Sequence, residues 1–204
     1  MLQALGLQSM NEEVTKHVAT YLGKPLDNAI TEIVGNIKIL VVPNPEAGYV
    51  ALVTSGMSDT RMNAPEGAEE YCYAEVFMFL PISWPLDGEA WKDPNNYWPI
   101  EWLRLVAHQP EQTGAFMAPI QTMGNNEPFA PNTKLSNLLF LDNQSEFGQL
   151  KLENKTVNFY QLFPLYEEEK KLLETEGPGK LFDLFQQHNI NQFIDPQRQN
   201  VAKS

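Results

Sequence analysis

The segment "YCYAEVFMFLP", residues 71–81, constrains the fold most, because as a strand it would be apolar on both sides. Alternate residues of a strand point to opposite faces. Here one face is aliphatic or sulphur-containing, and the other carries the rings of Tyr71, Tyr73, Phe77 and Phe79. A strand that needs cover on both faces belongs inside a sheet packed between two layers. Its one acid, Glu75, must therefore be hydrogen-bonded, paired or beside a groove, since burying a bare carboxylate is costly.

A second segment, "VNFYQLFPLYEEE" at residues 157–169, joins a strand directly to a run of acids. Its first seven residues alternate with apolar character on both sides and predict another inner strand. Pro164 has no N–H to donate to a sheet, so we expect the strand to end there. The three acids that follow, Glu167 to Glu169, fall in the first turn of a helix, where free N–H groups favour carboxylates. The acidic run is therefore interpreted as a helix start and not as a metal-binding or catalytic trio.

Three further helices are predicted from capping residues and apolar periodicity. The first begins at Ser9, whose spacing from Glu12 is that of a capping box. The second begins at Pro99, a residue suited to the first position of a helix, and ends at Pro110. The last covers residues 180–190, where apolar side chains recur on one face.

Strands account for much of the remaining apolar sequence. The segments "AITEIVGNIKILVVP" and "YVALVTSG" flank "NPEAG", a pattern that predicts two strands joined by a turn. Further strands are predicted around residues 116–123 and over residues 138–141. Inner strands combined with helices predict an α+β fold, in which a mixed central β-sheet is flanked by helices. The 204 residues are expected to form a single domain over 1–204.

The composition is that of an acidic globular protein. No apolar run approaches the ~20 residues that span a bilayer, and the first residues lack the charge pattern of a secretory signal. A single cysteine, Cys72, excludes internal disulfides, so we expect a cytoplasmic protein. The net charge of −12 argues against nucleic acid and anionic membrane as partners. It favours a basic protein partner, although solubility alone is the simpler explanation of the charge.

Five motifs, in this order along the chain, resemble a single family. They are "TSGMSD" (54–59), "YAEVFMFLP" (73–81), "WPIEWL" (98–103), "FAPNTKLSN" (129–137) and "VNFYQLFPLYEEE" (157–169). Together they closely resemble the suppressor of fused (SUFU) domain. The resemblance extends over about residues 25–204 and includes the segment "IDPQRQNV" near the end. It implies a mixed α+β domain with central strands flanked by helices.

The resemblance implies a non-catalytic, protein-binding role. Eukaryotic members of the family look like two-domain regulators that sequester a transcription factor between their domains, and this chain has room for only the first. It looks instead like the compact, stand-alone bacterial form, for which the resemblance implies an immunity protein that binds and neutralises a toxin in the cytoplasm. A general cytoplasmic regulator unrelated to toxins would use the same kind of surface. No cofactor is implied.

An enzyme is the third hypothesis. The best arrangement that the sequence offers is a hydrolase built from Ser55 or Ser58, Asp59 and His108, since a nucleophile needs a base and the base an orienting acid. However, "SGMSD" is not the Gly-x-Ser-x-Gly elbow, and it is ordinary turn chemistry. The chain also carries no phosphate-binding loop, HExxH or cysteine pair. We therefore expect neither catalytic residues nor a metal site.

A docking surface is predicted on loops, because strand backbones are already committed to the sheet. The candidate loops are "TSGMSD" and "APNTKL". If the strands before Ser55 and after Leu135 are neighbours in the sheet, these loops line one edge. The partner-binding residues would then be Asp59, Glu75, Trp98, Asn132 and Lys134. In the simpler alternative, Asp59 and Asn132 only close turns, and at least two of the four tryptophans anchor a loop to the core.

Overall fold

The computed structural model of the protein describes residues 2–27, 30, 31 and 36–203. Its eight strands are β1 (Ile30–Thr31), β2 (Lys38–Asn44), β3 (Tyr49–Ser55), β4 (Ala74–Pro81), β5 (Thr122–Gly124), β6 (Asn137–Asp142), β7 (Gln149–Lys151) and β8 (Thr156–Leu165). They form one sheet in the order β1-β2-β3-β4-β8-β6-β5, with β7 also paired to β8. The pairing of β4 with β8 is parallel and the other pairings are antiparallel, so the sheet is mixed, as predicted.

Within the part of the chain that the structure describes, four α-helices cover the two faces of the sheet. They are α1 (Leu2–Tyr21), α2 (Pro94–Thr113), α3 (Glu167–Glu176) and α4 (Pro178–Gln187). Helix α2 packs on the face that carries Val76 and Leu162, whereas α1 packs on the opposite face around Phe77 and Phe159. Helices α3 and α4 lie on the same side as α1, around Phe163. Within the described ranges, no helix is long and apolar enough to cross a membrane.

The two segments that are apolar on both sides are inner strands, as predicted. Strand β4 lies between β3 and β8, and β8 lies between β4 and β6. Phe79, Val157 and Phe159 share one core cluster on the face that α1 covers. The helix that follows β8 packs in a neighbouring cluster through Leu173, so it does not join that same core.

The prediction that Pro164 ends its strand is wrong. Strand β8 continues to Leu165, and Pro164 lies opposite Leu138 of β6. The carbonyl of Pro164 accepts a hydrogen bond from the Arg198 side chain, so this residue turns its polar edge away from β6. The missing N–H therefore costs no bond of the β6–β8 ladder, a position at which a sheet tolerates proline.

Two predicted helix starts are also wrong. Helix α2 begins at Pro94, after an Asp93 side chain that accepts from the Asn95 amide, so both Pro99 and Pro110 lie inside it. Proline suits the first turn in either case, and the true start is five residues earlier than the sequence pattern indicated. Helix α1 begins at Leu2, so Ser9 is an interior position and not an N-cap.

The C-terminal tail, residues 191–203, fills a gap in the sheet. Strands β4 and β8 pair only over residues 74–77 and 158–161. Beyond that, the Ile194 amide donates to the carbonyl of Phe79 on β4, and the Arg198 side chain donates to the carbonyl of Pro164 on β8. The tail therefore satisfies main-chain groups that the diverging strands leave unpaired.

Candidate functional site

The two loops predicted to share an edge lie at opposite ends of the sheet. Strand β3 runs antiparallel to β4, β4 runs parallel to β8, and β8 runs antiparallel to β6. The last residue of β3, Ser55, is therefore at the end where β8 begins, and the first residue of β6, Asn137, is at the end where β8 stops. Two strands also separate β3 from β6, so the neighbour condition behind the predicted docking edge is wrong.

At the Ser55 end, a buried carboxylate organises the "TSGMSD" loop. Glu75 is fully buried, and its Oε1 accepts from the amides of Gly56 and Ser58, both at 3.0 Å. The Ser58 hydroxyl donates to the same oxygen at 2.7 Å, and the Thr54 hydroxyl donates to Oε2 at 2.6 Å. The expectation that Glu75 is hydrogen-bonded is confirmed. Because it is buried, however, it cannot itself present a docking surface.

The loop geometry also depends on Gly56. Its φ of 117° lies in the left-handed region, and a Cβ there would stand 2.7 Å from the carbonyl oxygen of Asn36. Only glycine fits such a close approach with positive φ. The glycine and the carboxylate together hold Met57 and Ser58 in a fixed, buried turn.

Burial shifts the pKa values of three ionisable groups at this end of the sheet. Burial raises the pKa of Glu75, against the opposing effect of its four hydrogen bonds. Burial also raises the pKa of Asp59, while the nearby charge of Lys155 opposes that rise. Burial lowers the pKa of Lys155, while the nearby charges of Asp59 and Glu75 oppose that fall. These groups form a structural network, since a buried carboxylate surrounded by donors needs no external ligand.

Lys155 links the loop to the start of β8. Its Nζ donates to the Ser58 carbonyl at 2.8 Å and lies 4.4 Å from the centre of the Tyr73 ring. Asp59 is half-buried beside it, with its Oδ2 buried and without a hydrogen-bond partner among the described residues. Lys155 was not among the predicted site residues, because nothing local connects it to a loop almost one hundred positions earlier.

At the opposite end, Asn132 and Lys134 lie beside the C-terminal tail. The Asn132 amide donates to Asn95 Oδ1 at 2.9 Å, and its carbonyl accepts from the Gln197 side chain. The Thr133 hydroxyl donates to the Pro196 carbonyl at 2.8 Å. Lys134 is exposed and makes no hydrogen bond or ion pair with any described residue. Of the predicted docking residues, it is the one whose charge is fully available.

Two of the three acids that begin α3, Glu168 and Glu169, hold the tail in place. Glu169 is fully buried and pairs with Arg198, whose Nη1 donates to Oε1 at 2.7 Å. Glu168 accepts from Asn200 and pairs with Lys203, with N···O distances of 2.8 Å in both contacts. The first acid of the run, Glu167, instead pairs within the helix with Lys171, at 3.5 Å. The acids are thus a helix start, as predicted, and in addition an anchor for the tail.

A groove follows the seam between the tail and the "APNTKL" loop. It has two lobes of about 340 and 460 Å³, and both are lined by Lys134 and Tyr166. The first lobe also includes Glu168 and Lys203, and the second includes Asn132. Of the predicted residues, the structure thus brings together Asn132 and Lys134, with Asp59 and Glu75 at the other end.

Trp98 is a core residue. It is 1% exposed and stacks on Phe129 with ring centres 5.1 Å apart, which leaves it no surface for a partner. Trp102 is buried in the same cluster, and the other two tryptophans, Trp84 and Trp91, pack partly buried against it. The prediction that at least two tryptophans anchor a loop to the core is confirmed.

The hydrolase hypothesis gains no support from the geometry. The Ser58 hydroxyl donates to the Glu75 carboxylate, whereas the hypothesis assigns the His108 imidazole as its base. His108 lies on α2, 3.7 Å from Glu111 of the next turn. In the part of the chain that the structure describes, no group of three or more His, Cys, Asp or Glu could hold a metal ion.

The family model for the suppressor of fused protein (SUFU) matches residues 35–199. The chain belongs to the suppressor of fused family. This match covers the motifs from "TSGMSD" to "VNFYQLFPLYEEE" and the anchored tail up to residue 199. No curated protein sequence matches the chain.

Solved structures of suppressor of fused proteins share this fold at low sequence identity. A homologue from Neisseria gonorrhoeae aligns with a TM-score of 0.64 and 18% identity, covering 95% of this SUFU chain and 97% of its own. A chain of the Sufu–Fu complex aligns with a TM-score of 0.66 and 15% identity over 97% of this chain and 93% of that one. Drosophila Suppressor of Fused aligns with a TM-score of 0.65 and 16% identity over 97% of this chain. This chain spans about half, 51%, of the Drosophila protein.

Proposed function

We propose that this SUFU chain is a single-domain, non-catalytic protein-binding module of the immunity type, which binds and neutralises a toxin protein in the cytoplasm. The observation that carries the protein-binding part is its fold, which it shares with the suppressor of fused chain solved in the Sufu–Fu complex. That structure is of a suppressor of fused protein together with a second protein. The family match over residues 35–199 supports the same reading.

The charge of the chain supports a basic partner. Its net charge of −12 attracts a positively charged domain and speeds the encounter between them. The polar groups that a hydrolase would need are instead used to hold a loop, as the bond from Ser58 to Glu75 illustrates. A toxin domain that binds nucleic acid would be basic and is one chemical class that fits this charge.

The groove that Lys134 and Tyr166 line is the candidate surface for the partner, because the predicted docking residues Asn132 and Lys134 lie on it. It is open, it borders a tail held by buried ion pairs, and its exposed Lys134 can pair with an acidic side chain of an otherwise basic partner. A surface on a rigid support loses little conformational entropy when a partner binds. Trp98 and Glu75 are excluded as direct contacts because both are buried.

A general regulator unrelated to toxins is the second candidate, and one observation favours it. The protein solved in the Sufu–Fu complex, whose fold this chain shares, is bound to a protein partner, Fu. Gene neighbourhood separates the two roles, because an adjacent gene for a secreted toxin is expected for an immunity protein and not for a general regulator.

The test is co-expression with, and pull-down of, the products of neighbouring genes. We expect the purified chain to capture one basic product and to restore growth of cells that express it. Lys134→Ala should weaken capture at unchanged melting temperature, and Lys180→Ala, an exposed lysine on α4, is the matched control.

The outcomes separate the hypotheses. Capture without growth rescue would favour the general regulator. Capture that is equal in Lys134→Ala and the wild type would remove the groove from consideration while leaving protein binding intact. If growth rescue occurs but disappears in a well-folded Ser58→Ala variant, the non-catalytic proposal is wrong.

A further inference from the structure

A polar cavity of about 530 Å³ lies between helix α1 and residues 142–151, which run from the end of β6 to β7. Its volume is in the range of cavities that hold a ligand. One wall is formed by the rings of His17 and Tyr21 from α1, and the other carries the carboxylates of Asp142 and Glu146. The cavity shares no lining residue with the groove described above.

The fold holds His17 in one orientation in this wall. The residue is only 9% exposed, and its ring stacks on Phe147 and Phe159 with ring centres 5.7 and 5.0 Å apart. Its Nε2 lies 2.9 Å from the Phe147 carbonyl oxygen. A carbonyl oxygen only accepts, so Nε2 carries the proton and the neutral ring keeps a lone pair on Nδ1.

Nδ1 of His17 is an acceptor without a donor. It has no hydrogen-bond partner among the described residues. Because the ring lines the cavity, Nδ1 is the polar atom that this side chain offers to an occupant. An unpaired acceptor on a side chain that is nine-tenths buried calls for a ligand or water to complete it. An occupant that donates a hydrogen bond would supply the missing partner.

The acidic wall is also held in a fixed shape. Phe147 is 2% exposed and packs against Phe77 with ring centres 5.2 Å apart, so it anchors this segment to the core. The Asn143 side chain accepts from the Ser145 amide at 2.9 Å, and the Ser145 carbonyl accepts from the Gly148 amide at 2.9 Å. A preformed wall loses little conformational entropy when a ligand binds.

The groups around the cavity favour a cation that donates several hydrogen bonds. Asp142 and Glu146 are exposed carboxylates, and His17 adds a neutral acceptor. Helix α1 ends at Tyr21, and the carboxyl end of a helix carries negative partial charge. Tyr21 is 43% exposed, so its ring can pack against a cation. Lys151 also lines the cavity and opposes this preference.

A metal ion does not account for the arrangement. Among the residues that the structure describes, no group of three or more His, Cys, Asp or Glu could hold a metal, so His17, Asp142 and Glu146 do not converge on one ion. A guanidinium is planar and presents several donors in a fixed fork, so one group can reach acceptors on both walls. An ammonium is a compact point charge and lacks this reach.

We propose that this cavity receives an arginine side chain of the protein partner, whose guanidinium donates to His17 Nδ1 and to the carboxylates of Asp142 and Glu146. The inference rests on the proposed protein-binding function and names where a basic partner is recognised. The net charge of −12 draws such a partner towards the chain. The Lys134 groove offers the opposite charge before the start of β6, so the two surfaces recognise different side chains.

The direct test follows the imidazole nitrogens by NMR. The chain contains three histidines, so with isotope-labelled imidazole the His17 signals can be assigned from the His17→Gln variant. The probe is N-acetyl-arginine amide, and the neutral N-acetyl-citrulline amide, of nearly the same shape, is its control. We expect arginine to shift the His17 Nδ1 signal saturably, citrulline to leave it in place, and the His188 signals to move with neither. Equal shifts with both probes, or no saturable shift with arginine, would overturn the proposal.

Charge substitutions should change the affinity for the arginine probe in opposite directions, as measured by calorimetric titration. Asp142→Asn and Glu146→Gln each remove one carboxylate and should weaken binding by about tenfold. Lys151→Met removes the opposing charge and should strengthen binding by up to about fivefold. Glu46→Gln, at an exposed acid in the turn between β2 and β3, is the control and should bind as the wild type does. Unweakened binding in both carboxylate variants would contradict this site.

His17→Gln separates recognition from stability. Its side-chain amide can still donate to the Phe147 carbonyl, but it places no acceptor where Nδ1 was. We expect the arginine probe to bind about tenfold more weakly at a similar melting temperature. Wild-type affinity in this variant would remove His17 from the site. If the variant melts much earlier, the exposed carboxylate variants decide the question instead.

Pull-downs keep this proposal distinct from the proposed function. If the wild type captures a neighbouring gene product and Asp142→Asn and Glu146→Gln capture it equally well, protein binding stands and this site is wrong. If the arginine probe binds at His17 but no neighbouring product is captured, the site stands and the toxin role fails. Loss of capture in the carboxylate variants with retained capture in Glu46→Gln supports both.

Discussion

The two ends of the sheet each bury one glutamate completely, and they stabilise it in different ways. Glu75 is surrounded by neutral donors, namely two main-chain amides and two hydroxyls. Glu169 pairs with the Arg198 guanidinium and also accepts from the amides of Tyr166 and Val201. One carboxylate organises a short loop next to it, whereas the other holds a segment about thirty residues away.

This difference indicates how far the stability of each buried glutamate depends on its charge. A carboxylate that accepts only neutral hydrogen bonds can be replaced by a neutral acceptor of the same shape. A buried ion pair cannot lose one member without leaving the other uncompensated. The Ser55 end should therefore tolerate removal of charge, and the tail end should not.

The largest expected effect is that of Arg198→Ala. The substitution leaves Glu169 buried without its cation and releases the Pro164 carbonyl, so we expect a loss of about 3–5 kcal/mol in the free energy of unfolding. Urea denaturation measures it. Lys203→Ala, which removes a largely exposed charge from the same tail, is the control and should cost less than about 1 kcal/mol. Equal losses in the two variants would show that the buried pair does not hold the tail.

The second effect compares two replacements of Glu75. Glu75→Leu leaves the amides of Gly56 and Ser58 unpaired, at a cost of about 1–3 kcal/mol for each group. Glu75→Gln should cost less than about 1 kcal/mol, because the Thr54 hydroxyl can accept from the new amide while it donates to the Val76 carbonyl. A large loss of stability in Glu75→Gln would show that the Ser55 end also depends on the charge of this carboxylate.

The stability difference between the wild type and Glu75→Gln should also depend on pH. Because burial raises the pKa of Glu75 above its ordinary 4.5, the folded protein retains this proton at higher pH than the unfolded chain does. The resulting stability is fully present below pH 4.5 and is lost as the pH rises through the raised pKa. The wild type should therefore lose stability relative to Glu75→Gln as the pH rises, which thermal melts at several pH values can follow.

A smaller effect is expected for Ser58→Ala. The hydroxyl provides one of four hydrogen bonds to Glu75, and the Ser58 amide keeps its own, so the loss should be about 1 kcal/mol. Chemical denaturation gives the stability, and partner capture gives the function. We expect capture to remain at the level of the wild type.

The smallest effect concerns Glu168, and its pH dependence has the opposite sign. Its hydrogen bond with Lys203 lowers the pKa to about 2, so its stabilisation is present above pH 4.5 and is lost as the pH falls towards about 2. The pair is partly exposed, so Glu168→Gln should cost below about 1 kcal/mol at neutral pH. An advantage of the wild type over Glu168→Gln that persists unchanged to pH 2 would contradict the assignment.

Sequence patterns predicted what depends on local periodicity. The inner strands β4 and β8 follow from side chains that are apolar on both faces, and the helix start at Glu167 follows from acids placed at free N–H groups. Glu75 was identified because a lone acid in an apolar strand needs partners. In each case the signal lies within about ten residues of the feature.

What the sequence did not predict depends on contacts between distant segments. Arg198 carries no local sign that it reaches Glu169, and nothing near Pro164 in the sequence shows that its polar edge faces the tail and not β6. The two candidate docking loops were placed together because strand directions across the sheet were unknown.

The tail that fills the gap between β4 and β8 also sets the order in which the protein can be completed during translation. Both strands leave the ribosome before Arg198 does, so the nascent chain carries an open slot with the Phe79 and Pro164 carbonyls unpaired and Glu169 without its cation. A chain that stalls in this interval exposes sheet backbone to other chains. Synthesis of the segment that carries Ile194 and Arg198 therefore removes this exposed backbone, because that segment closes the slot.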